Sequence, residues 1–103
     1  MNIQQMMKQA QALQMKVAAL QEELKGREQI GLAGGGKVKV TMNGANEITA
    51  IAIAPDVVRP EETDLLEDLV LTACSDARGK VSKMVEEEMK KVTGGMGLPP
   101  GLF

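Results

Sequence analysis

Few side chains in these 103 residues can do chemistry. There is no histidine, tryptophan or tyrosine, one cysteine, and a single phenylalanine at the last position, Phe103. Without an imidazole, a general base at neutral pH would have to be a strongly perturbed carboxylate, lysine or thiol. Cys74 can form no intrachain disulfide, and it lies beside an apolar stripe, which fits a packed thiol better than a nucleophile. No Cys/His cluster exists to hold zinc. Gly34-Gly35-Gly36-Lys37 superficially suggests a phosphate loop. The Gly-Lys-Ser/Thr that should open a helix is missing, however, and a strand-like segment follows, so a turn or close backbone packing is the better reading. The inventory argues against an enzyme, and it nominates no cofactor, metal or small-molecule site.

What remains is charge. The formal net charge is −2 and the sequence pI about 5.1, unlike a domain that attracts phosphate over its whole surface. Locally the balance differs. Residues 1–21 carry Lys8 and Lys16 and no acid, and adding Glu22, Glu23, Lys25 and Arg27 brings the first 27 residues to +2. The middle, 28–53, is neutral, and 54–103 sums to −4 yet contains the basic cluster Arg78, Lys80 and Lys83. Any one of these lysines could simply solvate a helix face. Duplicated in a dimer, the same patches would gain affinity for a polyanion without a new type of contact, and neighbouring glutamines could add hydrogen bonds to phosphates or base edges.

These charges need elements to position them. Ile3, Met6, Ala10, Leu13, Val17, Leu20 and Leu24 alternate steps of three and four, a heptad seam that predicts a helix over about 2–25, stopped at Gly26. That seam could be the packed face of a helix in a folded dimer, the favoured reading, or a free coiled-coil surface. Gln29–Ala33 reads as a weak first strand. Lys37–Met42 alternates strictly, with Val38, Val40 and Met42 on one face, and Asn43-Gly44 signals a hairpin whose loop extends through Glu47. Ile48–Ala54 returns as a third strand and stops at Pro55. Pro60 opens a last helix whose early acids suit its N-terminal dipole; its stripe runs from Leu66 to Val92, and Gly94-Gly95 is the expected end. Gly79 inside it implies close packing or a gentle kink. The domain is thus expected over 1–93, with 94–103 an irregular, flexible tail.

The core must come from aliphatic residues and some of the eight methionines, since aromatics are absent from it. Helices of about 25 and 30 residues are roughly 35 and 45 Å long, too long for one compact domain of this size. Their stripes need cover from each other and from a second chain, so a homodimer is expected. No apolar run approaches the roughly 18 residues needed to span a bilayer, and Met1–Gln5 has no signal-peptide character, so the chain reads as cytoplasmic with no membrane partner.

Taken in order, Met6-Met7-Lys8-Gln9-Ala10-Gln11, the run Gly-Gly-Gly-Lys-Val-Lys-Val-Thr-Met-Asn-Gly at 34–44, Ile53-Ala54-Pro55-Asp56, Leu66-Glu67-Asp68-Leu69-Val70 and Leu98-Pro99-Pro100-Gly101 form a recognisable series. The chain resembles the YbaB/EbfC family of bacterial nucleoid-associated proteins along essentially its whole length. The resemblance implies an α+β fold: an α-β-β-β-α protomer with a small antiparallel sheet flanked by two long helices. It also implies a tweezer-like homodimer in which the sheets meet, with Val38, Val40, Met42, Ile51 and Ile53 as the expected dimer contact. The implied partner is double-stranded DNA in the nucleoid, bound with little or modest sequence preference and influencing chromosome organisation and gene expression. By region, the positions matching the family's DNA-contacting helices are Lys8, Lys16, Lys25, Arg27, Arg78 and Lys83. The alternative is a protein-interaction module acting through the heptad helix or the C-terminal tail.

Overall fold

The computed structural model describes residues 2–95. Helix α1 (Ile3–Leu24) is followed by strands β1 (Glu28–Ala33), β2 (Val38–Asn43) and β3 (Ile48–Ile53), and then by helix α2 (Thr63–Gly95). The predicted α-β-β-β-α order is what is observed, as an antiparallel sheet in the order β1-β2-β3. The molecule is elongated, as the helix lengths require. Its radius of gyration is 19.1 Å and its extents are 69 × 21 × 16 Å, whereas a compact chain of this length has a radius of about 13 Å.

Local chemistry explains the boundaries. The Asn2 carboxamide oxygen accepts from the Gln5 amide at 2.8 Å and caps α1. Pro60–Glu62 is a short 3-10 turn, so α2 proper begins three residues later than Pro60 alone suggests. At the other end α2 continues through Gly94 and Gly95; the rest of the expected tail, 96–103, lies outside the described residues. Gly34, Gly35 and Gly36 all adopt positive φ in the β1–β2 turn, which is why a glycine run stands there.

The Asn43-Gly44 signal marks a real hairpin, but its residues act differently from a two-residue turn. Asn43 is buried, and its side-chain oxygen accepts from the amides of Ala45 and Glu47 at 2.9 and 3.1 Å. The left-handed residue is Asn46, at φ 62°. Gly44 serves close approach instead: its amide donates to the carbonyls of Leu24 and Arg27 at 2.9 and 3.0 Å. A Cβ there would collide with Leu24. The hairpin tip therefore caps the C-terminus of α1 and fixes that helix to the sheet.

Helix α2 lies across β1 and β2. It packs directly on Gly31, where a Cβ would strike the backbone of Ala73 and Ala77. The core beneath it holds Ala33, Val38, Val40 and Met42 from the sheet, with Ala73, Ala77 and Val81 from the helix. This moves three residues from their expected place. Val38 and Val40 are 0% exposed and Met42 1%, so they form the protomer's own core and offer no surface to a second chain. Ile51 and Ile53 pair with Val40 and Val38 and so share their face of the sheet. They lie past the reach of α2, and remain 50% and 38% exposed. Cys74 is half-buried against the same core.

A second, smaller cluster joins Leu20 and Leu24 of α1 to Met84 of α2, flanked by Val85, Met89 and Val92. It covers only the C-terminal end of the heptad seam. At Gly79 nothing lies within 4 Å of a would-be Cβ, so no packing among the described residues requires a glycine there.

Candidate nucleic-acid interface

Each sheet edge is treated differently, and this arranges the cations. On β1 two outward backbone groups are taken by α2: Asp76 accepts from the Leu32 amide at 2.9 Å, and Lys80 donates to the Ile30 carbonyl at 2.8 Å. Asp76 and Lys80 also pair with each other at 3.2 Å, one helical turn apart. The Leu32 amide first, and Lys80 second, hold the Asp76 carboxyl below its usual range. The edge is blunted against strand addition, and α2 is held in register over the sheet.

Beside this contact lies an open recess of about 310 Å³ lined by Arg27, Gln29, Lys80, Lys83, Met84 and Glu87. Arg27 is kept there by Glu88, 3.1 Å away, which also pairs with Lys91 at 3.2 Å. Arg27, ahead of Lys91, lowers the Glu88 carboxyl below its ordinary range. Gln29 donates to the Met84 sulfur at 3.4 Å. Three cations from the α1–β1 junction and α2 thus line one opening. Lys83 makes no ion pair among the described residues, and its ammonium is available to an anion.

The other expected positions are dispersed. Lys8 and Lys16 are exposed on α1. Lys25 pairs with Glu22 at 3.2 Å. Arg78 is exposed but lies outside the recess, roughly 200° around the helix from Lys80. Of the six basic residues, then, the structure brings together Arg27 and Lys83, and adds Lys80 and Gln29. Lys80 belonged to the basic cluster visible in sequence, but its backbone contact with β1 could not be read there. Away from the recess, Lys37 pairs with Asp56 and holds that carboxyl low.

A wider, mostly apolar cleft of about 740 Å³ separates α1 from the hairpin tip and α2, with Val17, Gln21, Gly44, Val85, Met89 and Thr93 among its lining. Asn46, Ser82, Glu86 and Lys90 line it as well, but Lys90 is already paired with Glu86 at 3.3 Å. Among the described residues no cluster of three or more His, Cys, Asp or Glu could hold a metal ion. No described helix is long and apolar enough to cross a membrane.

Residues 1–96 match the YbaB/EbfC DNA-binding family. Over 101 residues the chain is 46% identical to a nucleoid-associated protein of Rhodospirillum rubrum, covering 98% of this chain and 94% of that one. It is 50% identical over 97 residues to a nucleoid-associated protein of Nitrobacter hamburgensis, covering 94% and 92%. The crystal structure of an uncharacterised protein from Helicobacter pylori has the same fold, with a TM-score of 0.72, 24% identity, and coverage of 93% of this chain and 97% of that one.

Proposed function

The chain belongs to the YbaB/EbfC DNA-binding family and is a nucleoid-associated protein rather than an enzyme; from that premise we propose that it holds double-stranded DNA as a homodimer, mainly through phosphates and with little or modest sequence preference. The observation that carries this reading is the recess where Arg27, Lys80 and Lys83 converge beside Gln29. Cations held on packed elements can meet phosphates without much ordering cost, whereas reading bases needs side chains aimed into a groove. Lys8 and Lys16 extend the positive track along α1. Binding of this kind would bear on chromosome organisation and gene expression.

The exposed edge of β3 supports the dimer. Among the described residues this outer edge has no neighbouring strand, and beside it Ile48, Ile51 and Ile53 are 48%, 50% and 38% exposed. Antiparallel pairing of two β3 edges about a two-fold axis would continue the sheet to six strands, cover these isoleucines, and leave the helices projecting as tweezer-like arms. It would also duplicate every cationic patch.

Mobility-shift titrations of long duplex DNA at a series of salt concentrations test the reading. The observed association constant should fall steeply with salt as counterions are released. Lys83→Glu, present twice per dimer, should lower the log–log salt slope by about 2. Lys8→Glu with Lys16→Glu should weaken binding to any sequence. Affinity unmoved by all three substitutions would overturn the assignment of the interface. Light scattering tests the dimer, with Ile51→Lys expected to give monomers.

A further inference from the structure

Among the described residues, the heptad seam of α1 is covered at one end only. Leu20 and Leu24 are buried against α2, while Ile3, Met6 and Met7 are 75%, 55% and 57% exposed. Ala10 is exposed too, and Leu13 and Val17 are partly covered. Thr93, near the described end of α2, shares a cleft with Val17, so the seam from Ile3 to Leu13 lies beyond the described part of the helix that covers its base. A contiguous apolar stripe of this kind marks a contact surface.

We propose that this free stretch is a self-association surface, and that its occupant is the same stretch of α1 from a second copy, laid antiparallel. The residue sizes argue for it. With Ile3 and Ala10 at heptad position a, and Met6 and Leu13 at d, an antiparallel a-to-d pairing centred on residue 8 gives four layers: Ile3 on Leu13, Met6 on Ala10, and the two reciprocal layers. The long Met6 meets the small Ala10, so the stripe is complementary to itself. These layers span the uncovered part of the seam and stop where α2 takes over. The flanking positions, Met7, Gln9 and Gln14, are uncharged, so two copies meet without like-charge repulsion. Lys8 lies on the opposite side of the helix, about half a turn from the seam, and stays free for phosphate.

Eleven residues a side bury less than the roughly 1,200 Å² of a standard stable interface. The contact is therefore weak and reversible in solution, and it strengthens when several arms are held close together on one DNA. It is a separate surface from the β3 edge, and each survives the failure of the other.

Sedimentation of the full chain across a wide concentration range tests this. The expected result is reversible association beyond the base species set by β3. Met6→Glu alone, or Ala10→Lys alone, abolishes that second step, since like or isolated charges then enter the layers. The double variant Met6→Glu/Ala10→Lys restores it, because opposite charges meet across the two-fold axis. Both sites are exposed and outside the packed clusters, so the thermal midpoint serves as the folding control and stays unchanged. Wild-type chains that never exceed the base species, single variants that associate normally, or a double variant that fails to recover each overturn the proposal. A chain ended at Gly95 that associates when the full chain does not would assign the seam to residues 96–103 instead. Loss of the base dimer on Ile51→Lys, with arm pairing retained, separates this surface from the one in the DNA-binding reading.

Discussion

Gly31→Ala tests the contact on which the whole arrangement depends. A Cβ at residue 31 would overlap the Ala73 carbonyl and the Ala77 amide, and would lie 2.7 Å from the Ala77 Cβ. Two of these three are backbone atoms of a continuous helix, so no rotamer change relieves them. Relieving all three contacts to ordinary separations of about 3.4–3.7 Å requires α2 to retreat by about 1–1.5 Å. A gap of that size forfeits about half or more of the dispersion well for the facing atoms of Val38, Val40, Ala73, Ala77 and Val81. It also stretches the hydrogen bonds from Leu32 to Asp76 and from Lys80 to Ile30. The expected cost is about 3 kcal/mol, at the upper end of what overpacking usually costs. For a chain of this size that lowers the melting temperature by roughly 10–20 °C. Urea unfolding followed by circular dichroism, at fixed protein concentration because a dimer's stability depends on it, measures the loss. Below the transition, DNA affinity should fall as well, since Lys80 and Lys83 move away from Arg27. A variant within about 0.5 kcal/mol of the parent would refute the claim that strand–helix contact at Gly31 sets the position of α2.

Gly79→Ala should act in the opposite direction. Nothing lies within 4 Å of that position, so the variant should be more stable by about 1 kcal/mol through helix propensity alone; a loss of stability would reveal a neighbour supplied by another chain. Acid should weaken the fold. Asp56, Asp76 and Glu88 have carboxyl groups held below their usual values by Lys37, by the Leu32 amide, and by Arg27 respectively. A depressed folded-state value stabilises above the unfolded carboxylate range and is lost as pH falls through the folded values, so urea midpoints should drop on acidification from about pH 4 downward. Asp76→Asn should make that dependence shallower, and an unchanged pH profile would show that Asp76 is not linked to folding.

The amino-acid sequence by itself determined the elements and their order. The three–four spacing from Ile3 to Leu24, the strict alternation of Lys37–Met42, the Asn43-Gly44 turn and the helical turn signalled by Pro60 just ahead of α2 are local properties, governed by periods of 3.6 and 2 and by backbone geometry. The length of the two helices likewise dictated an elongated molecule. Which residues end up covered was decided only in three dimensions. Alternation assigns Val38, Val40, Ile51 and Ile53 to one face of the sheet, but it does not say which strands the crossing helix will cover. Gly31 settles that by letting α2 lie tightly over β1 and β2, so the valines become core while the isoleucines stay open. The same crossing brings Lys80 and Lys83 to Arg27, more than fifty residues away in the chain. Charges that are scattered along the sequence become neighbours through packing, because a helix and a strand edge can share a surface whatever their separation in the chain.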